Sequence, residues 1–363
     1  MNGKYIDSFM GANTSAGFVS RFDQICENEK LKKIYVIKGG AGTGKSTLMK
    51  KVAEEFFEDG QTVEKVHCSS DPDSLDAVIV EEKGFAILDG TPPHPVEPKY
   101  PGAKETLLNF YPCWNEKELE KELENIKDLV EKYTEYHKKA CGLISVASAL
   151  IKENMRIAKK YINYSKIDKY IKNLLKREFK DKSEGKGKEN IRFYSAVTPK
   201  GVKVYTDTVE RLCDKCYVIE DDIGVVSQHI LKSVKNHALS KNLDIFTAYC
   251  VISPYEKLEH VIIPEIKTAF LTSNKFHKVE VSLSCKCVKA SRFTDIDGLN
   301  ERKQYMSFNK KAAKQFLNEA VNNMKYAKKY HDELEKCYIK QVDFKKLDVL
   351  KEELMEKLKG KDL

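Results

Sequence analysis

Gly39-Gly40-Ala41-Gly42-Thr43-Gly44-Lys45-Ser46 decides how the rest of the chain is read, because it satisfies the phosphate-loop pattern G-x-x-x-x-G-K-S/T at every position. Its flanks agree with it. Upstream, Ile34-Tyr35-Val36-Ile37 has the composition of a buried strand, and the residues from Thr47 to Phe57 favour helix. The glycines therefore fall at a strand-to-helix turn. There they allow backbone torsions closed to other residues and let amides approach a phosphate, while the helix N-terminus adds partial positive charge. The expected nucleotide-binding set is Gly39, Gly40, Ala41, Gly42, Thr43, Gly44, Lys45, Ser46 and Thr47. Within it, Lys45 is expected to reach the β- and γ-phosphates and the Ser46 hydroxyl to ligate Mg²⁺. ATP and magnesium are the cofactors this implies.

A phosphate loop needs an acid that acts on the metal through water, and the next strand-like run ending in a carboxylate is Phe85-Ala86-Ile87-Leu88-Asp89. Asp89 is the expected Walker B acid. No Glu follows it to orient an attacking water, since the chain continues Gly90-Thr91-Pro92-Pro93-His94. Candidates for that role are His94, Thr91 and the acids Asp71, Asp73 and Asp76, because strand C-termini in a parallel sheet converge on the ligand crevice. Lys45, Asp89 and His94 form the expected catalytic set. Asp73 and Ser74 equally fit a helix cap, and His94 a structural histidine.

The motifs recur along the chain. Phe9-Met10-Gly11-Ala12-Asn13-Thr14 with Gly17 returns as Phe193-Tyr194-Ser195-Ala196-Val197-Thr198 with Gly201. Tyr35-Val36-Ile37 returns as Tyr217-Val218-Ile219, Cys68 and Pro72 as Cys250 and Pro254, His94 as His277, and Tyr136-His137 as Tyr330-His331. Matches in one order imply two homologous halves meeting near Asn190. Strand-like runs at 34–38, 63–68 and 85–89 are repeated at 216–220, 245–252 and 269–272, with helical stretches between. The expected class is α/β, with duplicated P-loop-type parallel-sheet cores each followed by a coiled-coil-like helical segment. In the first segment Leu119, Leu123, Ile126, Val130, Tyr133, His137, Ala140, Ile144, Ala147 and Ile151 mark the seam of a long helix or hairpin, with Gly142 as a break. Ser165 and Asp168 suggest a capped start for another helix, and a second, shorter pair is expected at 309–338 and 344–359. The expected division is a nucleotide-binding core at 1–112, a helical segment at 113–182, a linker at 183–190, a degenerate core at 191–295 and a C-terminal helical segment at 296–363.

Aligned on its strand, the second half replaces the phosphate loop by Glu220-Asp221-Asp222-Ile223-Gly224-Val225-Val226-Ser227, with Ser227 in the place of lysine. Three acids stand where phosphate would sit. Like charges at ~4 Å repel by about 1 kcal/mol even in water, so this half is expected to keep the fold without the nucleotide site.

Composition bounds the alternatives. With 41% hydrophobic and 33% charged residues over 363 positions, the chain is neither disordered nor a membrane protein in its expected class. Its longest mostly apolar run, 140–151, falls short of the ~20 residues that cross a bilayer. The first residues show no secretory signal, so a cytoplasmic location with reduced thiols is expected, and Cys213 and Cys216 are read as buried thiols before zinc ligands. The net charge of +8 is diffuse and arginine is scarce, which gives little ground for nucleic-acid binding without excluding it. The helical segments are read as packing elements, with a protein-partner role kept open.

Over its full length the chain resembles an uncharacterised family of bacterial P-loop proteins, described variously as ATPases or nucleotide-kinase-like and built from two P-loop halves. The resemblance rests on the loop at 39–47, on Asp89-Gly90-Thr91-Pro92-Pro93-His94, on Pro98-Lys99-Tyr100-Pro101-Gly102-Ala103 and on the restart ending Thr198-Pro199-Lys200-Gly201. It implies ATP binding at the first loop, in a site shared with the 89–94 segment. Members often carry a second P-loop, so the departure at 220–229 makes this chain asymmetric. Three functions stay open: an ATPase that moves the helical segments, a small-molecule or nucleotide kinase whose basic lid would come from Lys99, Lys104 or Arg292, and a non-catalytic ATP-dependent scaffold.

Overall fold

The computed structural model describes residues 3–180 and 183–360; the end of the expected first helical segment at 181–182 lies outside them, as do 1–2 and 361–363. The first half runs β1 (Lys4–Ser8), β2 (Gly11–Thr14), β3 (Gly17–Ser20), α1 (Asp23–Cys26), β4 (Lys33–Lys38), α2 (Lys45–Glu58), β5 (Thr62–His67), β6 (Leu75–Val80), β7 (Phe85–Asp89), β8 (Glu105–Asn109), α3 (Glu116–Lys121), α4 (Leu123–Ala158) and α5 (Tyr164–Glu178). The second half repeats this order as β9 (Glu189–Arg192), β10 (Ser195–Thr198), β11 (Gly201–Val204), α6 (Asp207–Leu212), β12 (Lys215–Glu220), α7 (Val225–Ser240), β13 (Ile245–Tyr249), β14 (Leu258–Ile263), β15 (Thr268–Ser273), β16 (Ser284–Lys289), α8 (Ile296–Asn300), α9 (Lys303–Ile339) and α10 (Phe344–Lys359).

Each half builds a six-stranded sheet, in the orders β1-β5-β6-β7-β4-β8 and β9-β13-β14-β15-β12-β16, which are position for position the same. The sheets are mixed, which corrects the expectation of parallel cores. β6 runs antiparallel to both β5 and β7, and β14 to both β13 and β15. The run Leu75-Asp76-Ala77-Val78-Ile79-Val80 is rich in β-branched residues and buried throughout, so it is a strand where a helical stretch was expected. Its connection from β5 is also too short for a parallel crossover, which takes about a dozen residues. It closes instead as a turn, with the Cys68 amide donating to the Ser74 carbonyl and the Ser74 amide to that of Asp71.

The long helices α4 and α9 have 36 and 37 residues. Each is therefore about 54 Å long, at ~1.5 Å per residue, and the second pair is not shorter than the first. Gly142 does not break α4. The two helices run antiparallel, with Asn125 beside Cys337 at one end and Asn154 beside Asn309 at the other. Between these ends Ala140, Ile144 and Ala147 pack on Ala313, Leu317 and Ala320 together with the two hairpins. The pairing carries each terminal helix to the opposite half. Ile167, Ile171 and Leu174 of α5 join the core of the second sheet, whereas Leu347, Leu354 and Leu358 of α10 join that of the first. The cap of α5 is Asn163, whose side-chain oxygen accepts the Lys166 amide, and not Ser165. Phe9 and Phe193 exchange backbone hydrogen bonds of 2.8 and 2.9 Å where the hairpins meet.

Cys216 and Cys285 stand in register on β12 and β16 and form a disulfide, so the expectation of reduced thiols fails for this pair. Cys213, the other member of the C-x-x-C, is free and buried. No helix among the described residues is long and apolar enough to cross a membrane.

Candidate functional site

Residues 39–44 form the turn from β4 to α2, with Gly42 and Gly44 in the left-handed region at φ 72° and 71°. Gly44 is the N-cap of α2 and offers no side chain, so the helix start has no internal cap. Lys45 folds back over the turn. Its ammonium donates to the carbonyls of Gly39 and Gly40 at 2.6 and 2.8 Å, and lies 3.4 Å from Asp89 Oδ2. Thr43 Oγ1 donates to the Gly40 carbonyl at 2.9 Å and braces the loop. Ser46 Oγ accepts the Leu75 amide at 2.9 Å, which ties the expected metal-binding hydroxyl to the start of β6. Thr47 is exposed on the first turn of α2, and Ala41 is half-buried in the loop.

Asp89 stands opposite Ile37 on the neighbouring parallel strand, at the point where the loop leaves the sheet. Its Oδ1 accepts the Thr91 amide and hydroxyl at 2.9 and 2.5 Å, leaving Oδ2 toward Lys45. His94 sits behind Asp89. Its Nδ1 donates to the Asp89 carbonyl at 2.9 Å, its Nε2 lies 3.5 Å from Asp76, and its ring stacks on Phe22. Burial works against the imidazolium, but Asp76 and then Asp89 outweigh it and hold the His94 pKa above the ordinary value. These are contacts of a positioning residue. Of the other acids, Asp71 pairs with Lys328 of α9 at 3.4 Å, while exposed Asp73 pairs with Lys200.

Several residues at the loop come from the far end of the chain and carry no local motif. A Cβ on Gly42 would stand 2.5 Å from Ile339 Cγ1, and one on Gly40 would stand 2.7 Å from the Trp114 ring, so the α9 terminus and Trp114 cover the loop. A Cβ on Gly44 would meet the Lys351 ammonium at 3.2 Å. A cation beside a helix N-terminus is repelled by the dipole unless an anion joins them; Lys351 already lies 3.4 Å from Asp348 Oδ1 on its own helix. His331, Asp332 and Glu335 cluster on the α9 turn above, and burial, opposed by Glu335 and Asp332, lowers the His331 pKa. The expected lid residues lie elsewhere: Lys104 bonds the Cys26 and Asn28 carbonyls, Lys99 lies over the Tyr100 ring and Arg292 lies over the Tyr170 ring.

The second half shows what the same turn looks like when filled. Only residues 221–224 separate β12 from α7, and the left-handed N-cap is Gly224. Aligned on that cap, the counterpart of Lys45 is Val225, and the Ser227 alignment is a shift caused by the shorter loop. Asp221 turns its carboxylate into the helix start. Oδ1 accepts the Ile223 and Gly224 amides at 3.1 and 2.8 Å, and Oδ2 accepts the Ser227 amide at 2.8 Å. An internal anion thus occupies the place a phosphate takes in a phosphate loop.

No family model, no curated protein and no solved structure matches the chain.

Proposed function

We propose that the chain is a P-loop nucleoside triphosphatase, with a duplicated P-loop-type core whose second copy is degenerate. It binds one Mg-ATP at the first loop and hydrolyses it to move the long helices. The observation that carries this reading is the contrast between the two equivalent turns. The second satisfies its helix start with Asp221, whereas the first leaves its N-cap bare, with the Lys45 ammonium over the Gly39 and Gly40 carbonyls and the Lys351 ammonium beside Gly44. Such a nest fits a polyphosphate.

When bound, Mg-ATP supplies the transferable phosphoryl group and a metal that neutralises its charge. The chain's own residues bind and orient. The loop amides, Lys45 and Lys351 would hold phosphate oxygens, Ser46 and Asp89 would hold the metal, and His94 fixes Asp89 from behind through its carbonyl. Glu335 and His331 of α9, whose backbone reaches Gly42 through the Glu335 carbonyl, would stand in for the acid missing after Asp89. Because Ile339 stands where a Gly42 Cβ would lie, the α9 terminus covers the loop, which supports coupling between phosphate binding and the helices. A non-catalytic scaffold is the second reading, favoured by Asp89 having one oxygen already tied to Thr91.

Trp114 is the sole tryptophan and lies against Gly40, so its emission should report nucleotide binding directly. In calorimetry the native chain is expected to bind one Mg-ATP. Lys45→Ala should bind at least about a hundredfold more weakly, since hydrogen bonds to charged groups contribute about 1.5–3 kcal/mol each, while a cooperative thermal transition shows that the variant is folded. Equal affinity in the variant, or a second nucleotide per native chain, would sink the assignment. Release of inorganic phosphate separates the triphosphatase from the scaffold, and label appearing on an added acceptor would mean a kinase.

A further inference from the structure

The second half contains a cavity of about 360 Å³ beside its own β12–α7 turn, within the size range of small-molecule sites. Its wall is mostly apolar, with Ile151 and Met155 from α4, Met306 and Leu317 from α9, and Val251 and Phe276 from the loops after β13 and β15. Several lysines line it, and the buried one is Lys257. Lys257 is 9% exposed, and its side chain passes 3.0 Å from where a Gly224 Cβ would stand. A lysine absent from the turn therefore returns beside it from the loop that leads into β14.

Lys257 is poorly satisfied. An ammonium has three donors, which make hydrogen bonds to oxygen at about 2.7–3.2 Å. The nearest acceptors here are Glu259 Oε1 at 3.6 Å and Cys250 Sγ at 4.0 Å. Glu259 is itself engaged, with Oε2 3.4 Å from His277 Nδ1 and 3.5 Å from Ser195 Oγ. His277 continues to His260 at 3.3 Å between Nε2 atoms, so the acid is held away from Lys257 by its own network. Burial opposes the charged lysine, but Cys250, Glu259 and Asp221 outweigh it and raise its pKa, so the ammonium keeps its charge. A buried cation without a close oxygen acceptor is costly unless a ligand supplies one.

From this geometry we propose that the second half is a binding site for a small amphipathic carboxylate, its head on Lys257 and its apolar body along the α4–α9 wall. The head is a monoanion and not a phosphate. Asp221 already occupies the amides that would hold a phosphate, and with Glu259 beside the single Lys257 ammonium a dianion would add one more unbalanced negative charge than a carboxylate does. The mouth is compatible with entry of an anion, because Lys303 and Lys310 line it, although Lys310 also pairs with Asp222 at 2.9 Å. The proposal does not depend on nucleotide binding at the first loop.

Octanoate, octanol and octylamine share an apolar body and differ in the head, so their titration into the full-length chain tests the proposal. Octanoate is expected to bind at least about tenfold more tightly than either other probe, and Lys257→Met should erase that preference. Met306→Trp, which fills the cavity from α9 and leaves the ionic network intact, should abolish binding of octanoate. Equal affinity of octanoate and octanol for the native chain overturns the proposal, as does a preference that survives in Lys257→Met. Should that variant not fold, octanoate binding that persists in Met306→Trp overturns it.

Discussion

Asp221 shows how far one side chain can replace a ligand. Its carboxylate is 4% exposed and takes three backbone amides at the start of α7, so removing it leaves buried donors without partners. Asp221→Ala is expected to cost about 3 kcal/mol in denaturant unfolding, and sulfate, an anion of suitable size for the vacated nest, should return part of it. A loss unaffected by sulfate would mean that the turn collapses. His137 governs a different response. It is a half-buried residue of α4 facing the first hairpin, donates from Nδ1 to Asn13 Oδ1 at 3.2 Å, and leaves Nε2 without a partner. Burial, and then the neighbouring His331, lower its pKa to about 4. A histidine depressed in the fold contributes stability that is complete above its unfolded pKa near 6.5 and is lost as pH falls toward about 4, in all roughly 3 kcal/mol. His260, lowered to about 3 by burial first, adds to the same slope. His137→Gln keeps a donor for Asn13 and does not titrate, so urea midpoints measured from pH 7 to pH 4 should fall less steeply than in the native chain.

At the scale of elements, α4 corrects a plausible reading and gives a clean test. Gly142 lies on its exposed face, and a Cβ there would have nothing within 4 Å. Gly142→Ala should therefore stabilise the protein by about 0.5–1 kcal/mol, through helix propensity alone; a lower melting temperature would show that the helix bends there. The same helix explains what was legible in the sequence. The phosphate-loop pattern, the strand before it and the apolar run ending in Asp89 are local, and Lys45 and Asp89 meet at 3.4 Å. The repeat likewise anticipated an α/β core in each half, though not the strand order the two sheets share. Strand direction was not readable, because the apolar run of β6 fits a buried helix or strand equally well until the short turn at 68–74 is weighed. Lys351, Ile339 and Glu335 were invisible for another reason. They reach the loop because α9 and α10 cross to the other half, and no local pattern encodes which sheet an amphipathic helix will cover.

That crossing makes the whole molecule one folding unit despite its internal duplication. Each sheet is completed on one face by a helix from the other half: α10 supplies Leu347, Leu354, Met355 and Leu358 to the first core, and α5 supplies Ile167, Ile171 and Leu174 to the second. Burying a leucine side chain is worth about 1.5–3 kcal/mol, so a half deprived of its borrowed helix loses an amount comparable to a whole domain's stability, about 5–15 kcal/mol. The buried Arg192 to Glu64 pair, at 2.6 and 3.0 Å between the halves, adds a charge that would be left alone on separation. A chain cut between α5 and β9 is therefore expected to give two fragments that are each unfolded or aggregated alone, yet associate into a native-like complex when expressed together. In scanning calorimetry the uncut protein should show a single transition whose calorimetric and van't Hoff enthalpies agree. Two separated transitions, or a first-half fragment that folds and binds nucleotide unaided, would mean that the exchanged helices only decorate two independent domains.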